Sequence, residues 1–213
     1  MMQCGLIARA LGASTAKPLV FLLALLPFFW LLGAALTEQL GPNPAEALVR
    51  SSGDWTLRSL CVVLAVTPLR VSLGLPALAR LRRMLGLFVF FYAALHFLAY
   101  AWLDQGLEAA DIAMDVAKRP FILVGFVALL LLLALAATSW NRAVRWLGAA
   151  RWQALHRSVY AVAGLAILHF FWMRAGKRRF TEVAVYAAVL GLLLAWRGWR
   201  HWRSRSRTRP LAP

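Results

Sequence analysis

Three stretches of this sequence, Pro18 to Thr37, Met84 to Leu103 and Pro120 to Asn141, contain no Asp, Glu, Lys or Arg. A hydrocarbon core about 30 Å thick is crossed by about 20 helical residues, so each run is long enough to span a bilayer. Within lipid the backbone must satisfy its own hydrogen bonds, and runs of this length do so as helices. Three more runs carry charge only near their ends: Trp55 to Leu69 with Arg58, Trp152 to Met173 with Arg157, and Thr181 to Trp199 with Glu182 and Arg197. Such side chains are tolerated where they snorkel or meet a protein partner. The expectation is an all-α membrane protein, a six-helix transmembrane bundle. Residues 1–17 are read as a cytoplasmic N-terminal segment, 18–200 as the six-helix domain and 201–213 as a basic cytoplasmic tail. With 62% hydrophobic and 15% charged residues, the composition excludes disorder and an ordinary soluble domain. Only two cysteines are present, Cys4 and Cys61, which excludes a disulfide scaffold and a zinc finger. The first run is longer than a secretory apolar region of about 7–15 residues, so it reads as a retained span.

Charge sets the expected orientation. Of the 24 basic residues, 16 fall in the terminal segments, in Arg70 to Arg83 and in Arg142 to Arg157, leaving 8 on the other side. The positive-inside rule then places both termini in the cytoplasm. All eight acidic residues, from Glu38 to Glu182, fall on the opposite face. The cluster Arg174, Lys177, Arg178 and Arg179 is the exception to this division. A net charge of +16 distributed between apolar runs does not indicate nucleic-acid binding, since no recognition motif accompanies it. The lipid bilayer is the expected partner, and the alternating Trp and Arg of Trp196 to Arg203 suit an interfacial anchor.

Histidines within spans are the informative residues, because ionisable groups there are costly and usually functional. His96 lies in the third span, and His156 and His169 lie near opposite ends of the fifth, while His201 belongs to the basic tail. Interhelical hydrogen bonding by a neutral imidazole is the structural alternative for any one of them. Zinc would want additional ligands and supporting carboxylates. A proton pathway would want intramembrane Asp or Glu, and no acidic residue lies mid-span. Haem needs one or two neutral imidazoles and a large apolar pocket, which makes it the best match. His156 and His169 are 13 residues apart, about 20 Å along a helix, and point some 140° apart, so they cannot share an iron. The expected site pairs His96 with His169 in the outer half between the third and fifth helices, although nominal span limits leave the two about 7 Å out of level. His156 takes a separate, inner role. Without Cys-x-x-Cys-His the haem would be b-type, and two axial imidazoles favour electron transfer over oxygen chemistry.

The stretch Arg82-Arg83-Met84-Leu85-Gly86-Leu87 leading to His96 and Tyr100, the Arg119-Pro120 step, and Arg151-Trp152-Gln153-Ala154-Leu155-His156-Arg157-Ser158-Val159-Tyr160 followed by His169 and Trp172 resemble the MsrQ (YedZ) family. Leu26-Pro27 and Thr67-Pro68-Leu69 extend the likeness over nearly the whole chain. These are haem-binding membrane subunits of the bacterial periplasmic methionine sulfoxide reductase system, related to ferric reductase transmembrane domains. The resemblance implies a multi-pass protein of the bacterial inner membrane, with His96, His156 and His169 linked to one or two haems b. It implies a periplasmic molybdoenzyme of the MsrP type as acceptor, and a cytosolic flavin reductase or the quinone pool as donor. FMN is also associated with the family, but no Gly-rich dinucleotide fingerprint is visible to place it.

The chain departs from the wider ferric reductase pattern, in which each of two helices carries two histidines. The fourth ligand position is occupied by Arg83, a poor iron ligand that could hold a propionate, as could Arg157. His156 is left to ligate an inner haem alone, to pair with an unusual partner such as the Met84 thioether, or only to support transfer. Two other readings are a stand-alone ferric or quinone reductase with the same core, and a small transporter or assembly factor with structural histidines.

Overall fold

The computed structural model describes residues 13–175 and 180–207. Along the chain run α1 (Ala16–Leu36), α2 (Pro44–Ser72), a 3-10 turn (Pro76–Arg80), α3 (Arg82–Ala99) and its π-helical continuation (Tyr100–Asp104). They are followed by α4 (Ala109–Lys118), α5 (Pro120–Ala137), α6 (Asn141–Leu147), α7 (Ala149–His156), α8 (Val159–Ala175) and α9 (Thr181–Arg207). Among the described residues there is no strand. Six segments are long and apolar enough to cross a membrane: α1, α2, α3 with its π turn, α5, α7 with α8, and α9. The all-α, six-span expectation is met. Lys177, Arg178 and Arg179 of the basic cluster after the fifth span lie outside the described residues.

The second span begins 11 residues before the hydropathy reading placed it. Asn43 caps α2, its side-chain oxygen accepting from the Glu46 N–H at 3.1 Å, and Pro44 occupies the first turn, where its missing N–H costs nothing. Glu46 and Arg50, one turn apart, form an ion pair that keeps this polar extension helical. Arg119 is extended (φ −112°, ψ 102°), as the residue before proline prefers, so α4 ends there and α5 starts at Pro120. Gly148 separates α6 from α7 with φ 74°, a conformation that glycine adopts without strain. At the C-terminus, α9 continues past residue 200 to Arg207. Arg200 lies over the Trp196 ring and Arg203 over Trp199, the latter at 4.2 Å, and these one-turn pairs support the helix.

Two of the charged side chains inside the spans, Arg197 and Arg58, have protein partners. Pro68 has no N–H for the Leu64 carbonyl one turn earlier, and Arg197 supplies the missing donor from α9 at 2.5 Å. The same guanidinium donates to the Tyr160 hydroxyl at 2.9 Å. Arg58 donates to the Tyr186 hydroxyl at 3.2 Å and covers the Trp55 ring. Arg197→Met is therefore expected to destabilise the detergent-solubilised protein by about 1–3 kcal/mol, because a carbonyl is left unsatisfied. Thermal unfolding checks this, and an unchanged Tm would mean that the carbonyl is satisfied without Arg197.

Four spans form two packed pairs around the core, α2 with α3 and α5 with α8, and α9 packs on α2 and α8. Leu57, Leu60 and Leu64 of α2 meet Val89 and Ala93 of α3, Leu132 of α5, and Val162 and Ala163 of α8. Helix α1 lies outside this core, held through Phe21 on Phe88 and Phe28 on Phe91, with Leu22 and Trp30 exposed as a lipid-facing surface requires.

Candidate functional site

Between the two helix pairs lies a cavity of about 330 Å³ lined by both His96 and His169. Each histidine is held in the same way by the helix paired with its own. On α3, the His96 Nδ1–H donates to the Val49 carbonyl of α2 at 2.8 Å, and the ring lies against Gly53, one turn further along. On α8, the His169 Nδ1–H donates to the Phe121 carbonyl of α5 at 2.7 Å, and the ring lies against Gly125, again one turn on. A Cβ built on Gly53 would meet the His96 ring at 3.1 Å, and one on Gly125 would meet the His169 ring at 2.9 Å. Only glycine lets a ring approach the helix closely enough to reach that carbonyl.

The hydrogen bonds decide the tautomer. A backbone carbonyl only accepts, so each Nδ1 carries its proton and each neutral imidazole keeps Nε2 as a free lone pair. A carbonyl partner on the second nitrogen is the usual support of a metal-bound histidine. The ring centroids are 6.2 Å apart, with planes at 79°. A metal–nitrogen bond of about 2 Å plus about 1 Å to the ring centre, taken from both sides, gives roughly 6 Å. One metal ion between the two imidazoles therefore fits this separation. Among the described residues no group of three or more His, Cys, Asp or Glu could hold a metal ion. An ion bound here would have to bring its other ligands with it.

His156 is in a different place with a different chemistry. Its ring stacks on Trp152 at 4.0 Å, and its Nε2 lies 3.2 Å from the Thr138 hydroxyl. That hydroxyl already donates to the Ala134 carbonyl at 2.7 Å, so His156 Nε2–H is the donor in the contact. Trp152 donates to the Thr138 carbonyl at 2.9 Å, fixing the stack. Arg83 donates to the Asn141 side chain at 2.6 Å, Arg157 is exposed, and neither lines the cavity. The arginines that line it are Arg50, Arg119 and Arg174.

Asp115 accepts from the Tyr100 hydroxyl at 2.6 Å and pairs with Arg119 at 2.8 Å, so α4 is tied to the π turn and to the start of α5 at one end of the cavity. Gly53, Gly125 and the two carbonyls were not singled out from the sequence. A glycine in a neighbouring span is the only trace such a cradle leaves, and Gly86 and Gly164 leave the same trace.

Residues 52–168, which include most of α2 and extend to the residue before His169, match the ferric reductase like transmembrane component. A "Protein-methionine-sulfoxide reductase heme-binding subunit MsrQ" of Polaromonas naphthalenivorans is 65% identical over 90% of this chain and 88% of its own. One of the same name from Bordetella pertussis is 55% identical over 96% and 98%. The magnetosome protein MamZ of Magnetospirillum gryphiswaldense is 43% identical over 92% of this chain, which corresponds to 31% of MamZ. No solved structure matches. Similarity at this level over almost the full length of the two MsrQ proteins, with the ferric reductase match across the four core spans, makes this chain a member of the MsrQ family of ferric reductase-like membrane proteins.

Proposed function

We propose that His96 and His169 are the two axial ligands of one b-type haem, and that the chain relays electrons to a periplasmic methionine sulfoxide reductase. The observation that supports this is the matched pair of cradles, which hold the Nδ1–H of two imidazoles lining one cavity and leave each Nε2 without a proton. Haem suits a site with only two protein ligands, since the porphyrin supplies the other four, and when bound it supplies reversible one-electron chemistry. The Val49 and Phe121 carbonyls hold the ring orientation and raise ligand basicity, and Leu57, Leu60, Val89, Leu132 and Phe170 keep the walls apolar. A haem held by both His96 and His169 would supply electron transfer and not substrate binding, so the sulfoxide chemistry falls to the partner in this reading. His156, bound to Thr138 and Trp152 near the other face, acts in passage from the donor side.

The acceptor in this reading is a molybdenum-containing MsrP-type enzyme, and the donor a cytosolic flavin reductase or the quinone pool. Purified protein should show b-type bands that develop with NAD(P)H and a flavin reductase, or with a quinol, and collapse when MsrP and methionine sulfoxide are added. Collapse with ferric citrate or a quinone but not with MsrP would favour a stand-alone reductase. A colourless preparation that takes up no added haemin would sink the haem reading and favour structural histidines.

The division of basic residues supports an inner-membrane orientation with both termini cytoplasmic. A reporter fused after Pro213 should report the cytoplasm, and one inserted between Asp104 and Asp115 the periplasm. Both on one side would overturn the six-span orientation.

A further inference from the structure

Arg174 is buried at 8% exposure near the end of α8 and lines the same cavity as His96 and His169. It lies five residues beyond His169, about 7.5 Å further toward the outer end at the rise of a helix. One terminal nitrogen pairs with Glu182 at 2.7 Å, and the guanidinium lies over the Phe170 ring at 5.2 Å. Its Nε–H is buried and has no hydrogen-bond partner. A buried, unmatched donor on a charged group is expensive, and such a cost is normally recovered by an acceptor that occupies the neighbouring space. Arg119 and Arg50 line the same end, each tied to one carboxylate, Asp115 and Glu46, and each guanidinium has more donors than one carboxylate uses. Asp54 and Asp104 also line this end, so charge balance does not decide the ligand. The buried Nε–H of Arg197 is equally unpartnered, but among these groups only that of Arg174 belongs to a residue lining the cavity of His96 and His169, and this combination does.

We infer that the outer end of the cavity is a carboxylate anchor, in which Arg174, flanked by Arg119 and Arg50, binds the carboxylates on the rim of the porphyrin held by His96 and His169. The inference rests on the haem reading above and assigns which way round the group sits. Its carboxylates face the outer surface, away from Arg83 and Arg157. Planar guanidinium and carboxylate match through charge-assisted hydrogen bonds, which are strongest where water is scarce.

The test compares haemin with its dimethyl ester, which keeps the iron and ring but has no carboxylate charge. Solubilised protein produced under haem depletion is titrated with each, following the Soret band. Because both porphyrins are measured on every variant, their different partition into detergent cancels. Wild type should prefer haemin, and Arg174→Gln should lose about tenfold of that preference through haemin alone. Arg174→Lys should recover part of it. Glu182→Gln, which releases Arg174 from its competing carboxylate, should increase it and serves as the measurement if Arg174→Gln is not monodisperse. An unchanged preference in Arg174→Gln, or in Glu182→Gln where that variant stands in, would overturn the anchor while leaving the histidine assignment intact. Failure of wild type to bind either porphyrin would instead remove the haem reading on which the anchor rests.

Discussion

His169→Ala and His96→Ala should each abolish one and the same low-spin b-type spectrum, whereas His156→Ala should leave that spectrum in place and alter a second signal or the rate of reduction. The physical ground is that both imidazoles line one cavity with their centroids 6.2 Å apart and each has its Nδ1–H held by a carbonyl, while His156 spends its Nε2–H on Thr138. Loss of either imidazole leaves a five-coordinate iron held by one bond, so haem content should fall at least tenfold and any remaining pigment should be high-spin. Pyridine haemochrome counts and absorption spectra of the purified variants measure both. A His96→Ala protein with a wild-type spectrum beside a colourless His169→Ala protein would refute the pairing. It would then point to His169 with a different partner.

The second large effect is expected from a residue with no side chain. Gly125→Ala places a methyl group 2.9 Å from the His169 ring, closer than a Cβ normally comes to another heavy atom. The ring must withdraw or the helices must separate, and either movement stretches the 2.7 Å bond to the Phe121 carbonyl. Changes to the outer support of a metal ligand typically cost 10- to 100-fold in affinity, and Gly125→Ala should weaken haem retention by about that range. Gly53→Ala, where the distance is 3.1 Å, should follow the same course with a smaller loss. Gly33→Ala, with nothing within 4 Å of its added carbon, is the control expected to behave as wild type. A Gly125→Ala protein with unchanged haem content and low-spin bands would show that the cradle does not set the ligand position.

Much of the architecture could be read from the chain alone because lipid imposes so few solutions. Apolar length fixes the number of helices, and loop Arg and Lys give their expected direction. Three histidines within spans were also legible as candidates, since ionisable groups there stand out against Leu and Phe. Their separation along one helix was enough to divide His156 from His169 before any contact was known. Hydropathy missed the first three turns of α2, because Glu46, Arg50 and Asp54 resemble a loop when counted one at a time and a capped, ion-paired helix when folded. Those turns carry Val49 and Gly53, so the omission also concealed half of the site. It is likewise the fold that brings Arg50, Arg119 and Arg174, and not Arg83 or Arg157, to the cavity lined by His96 and His169. A sequence specifies which helices form through short-range propensity and length. Which glycine faces which ring, and which carbonyl is one turn behind it, depends on how α2 pairs with α3 and α5 with α8. Only the packed bundle brings together residues 47 and 48 positions apart to hold one nitrogen of each histidine and leave the other free.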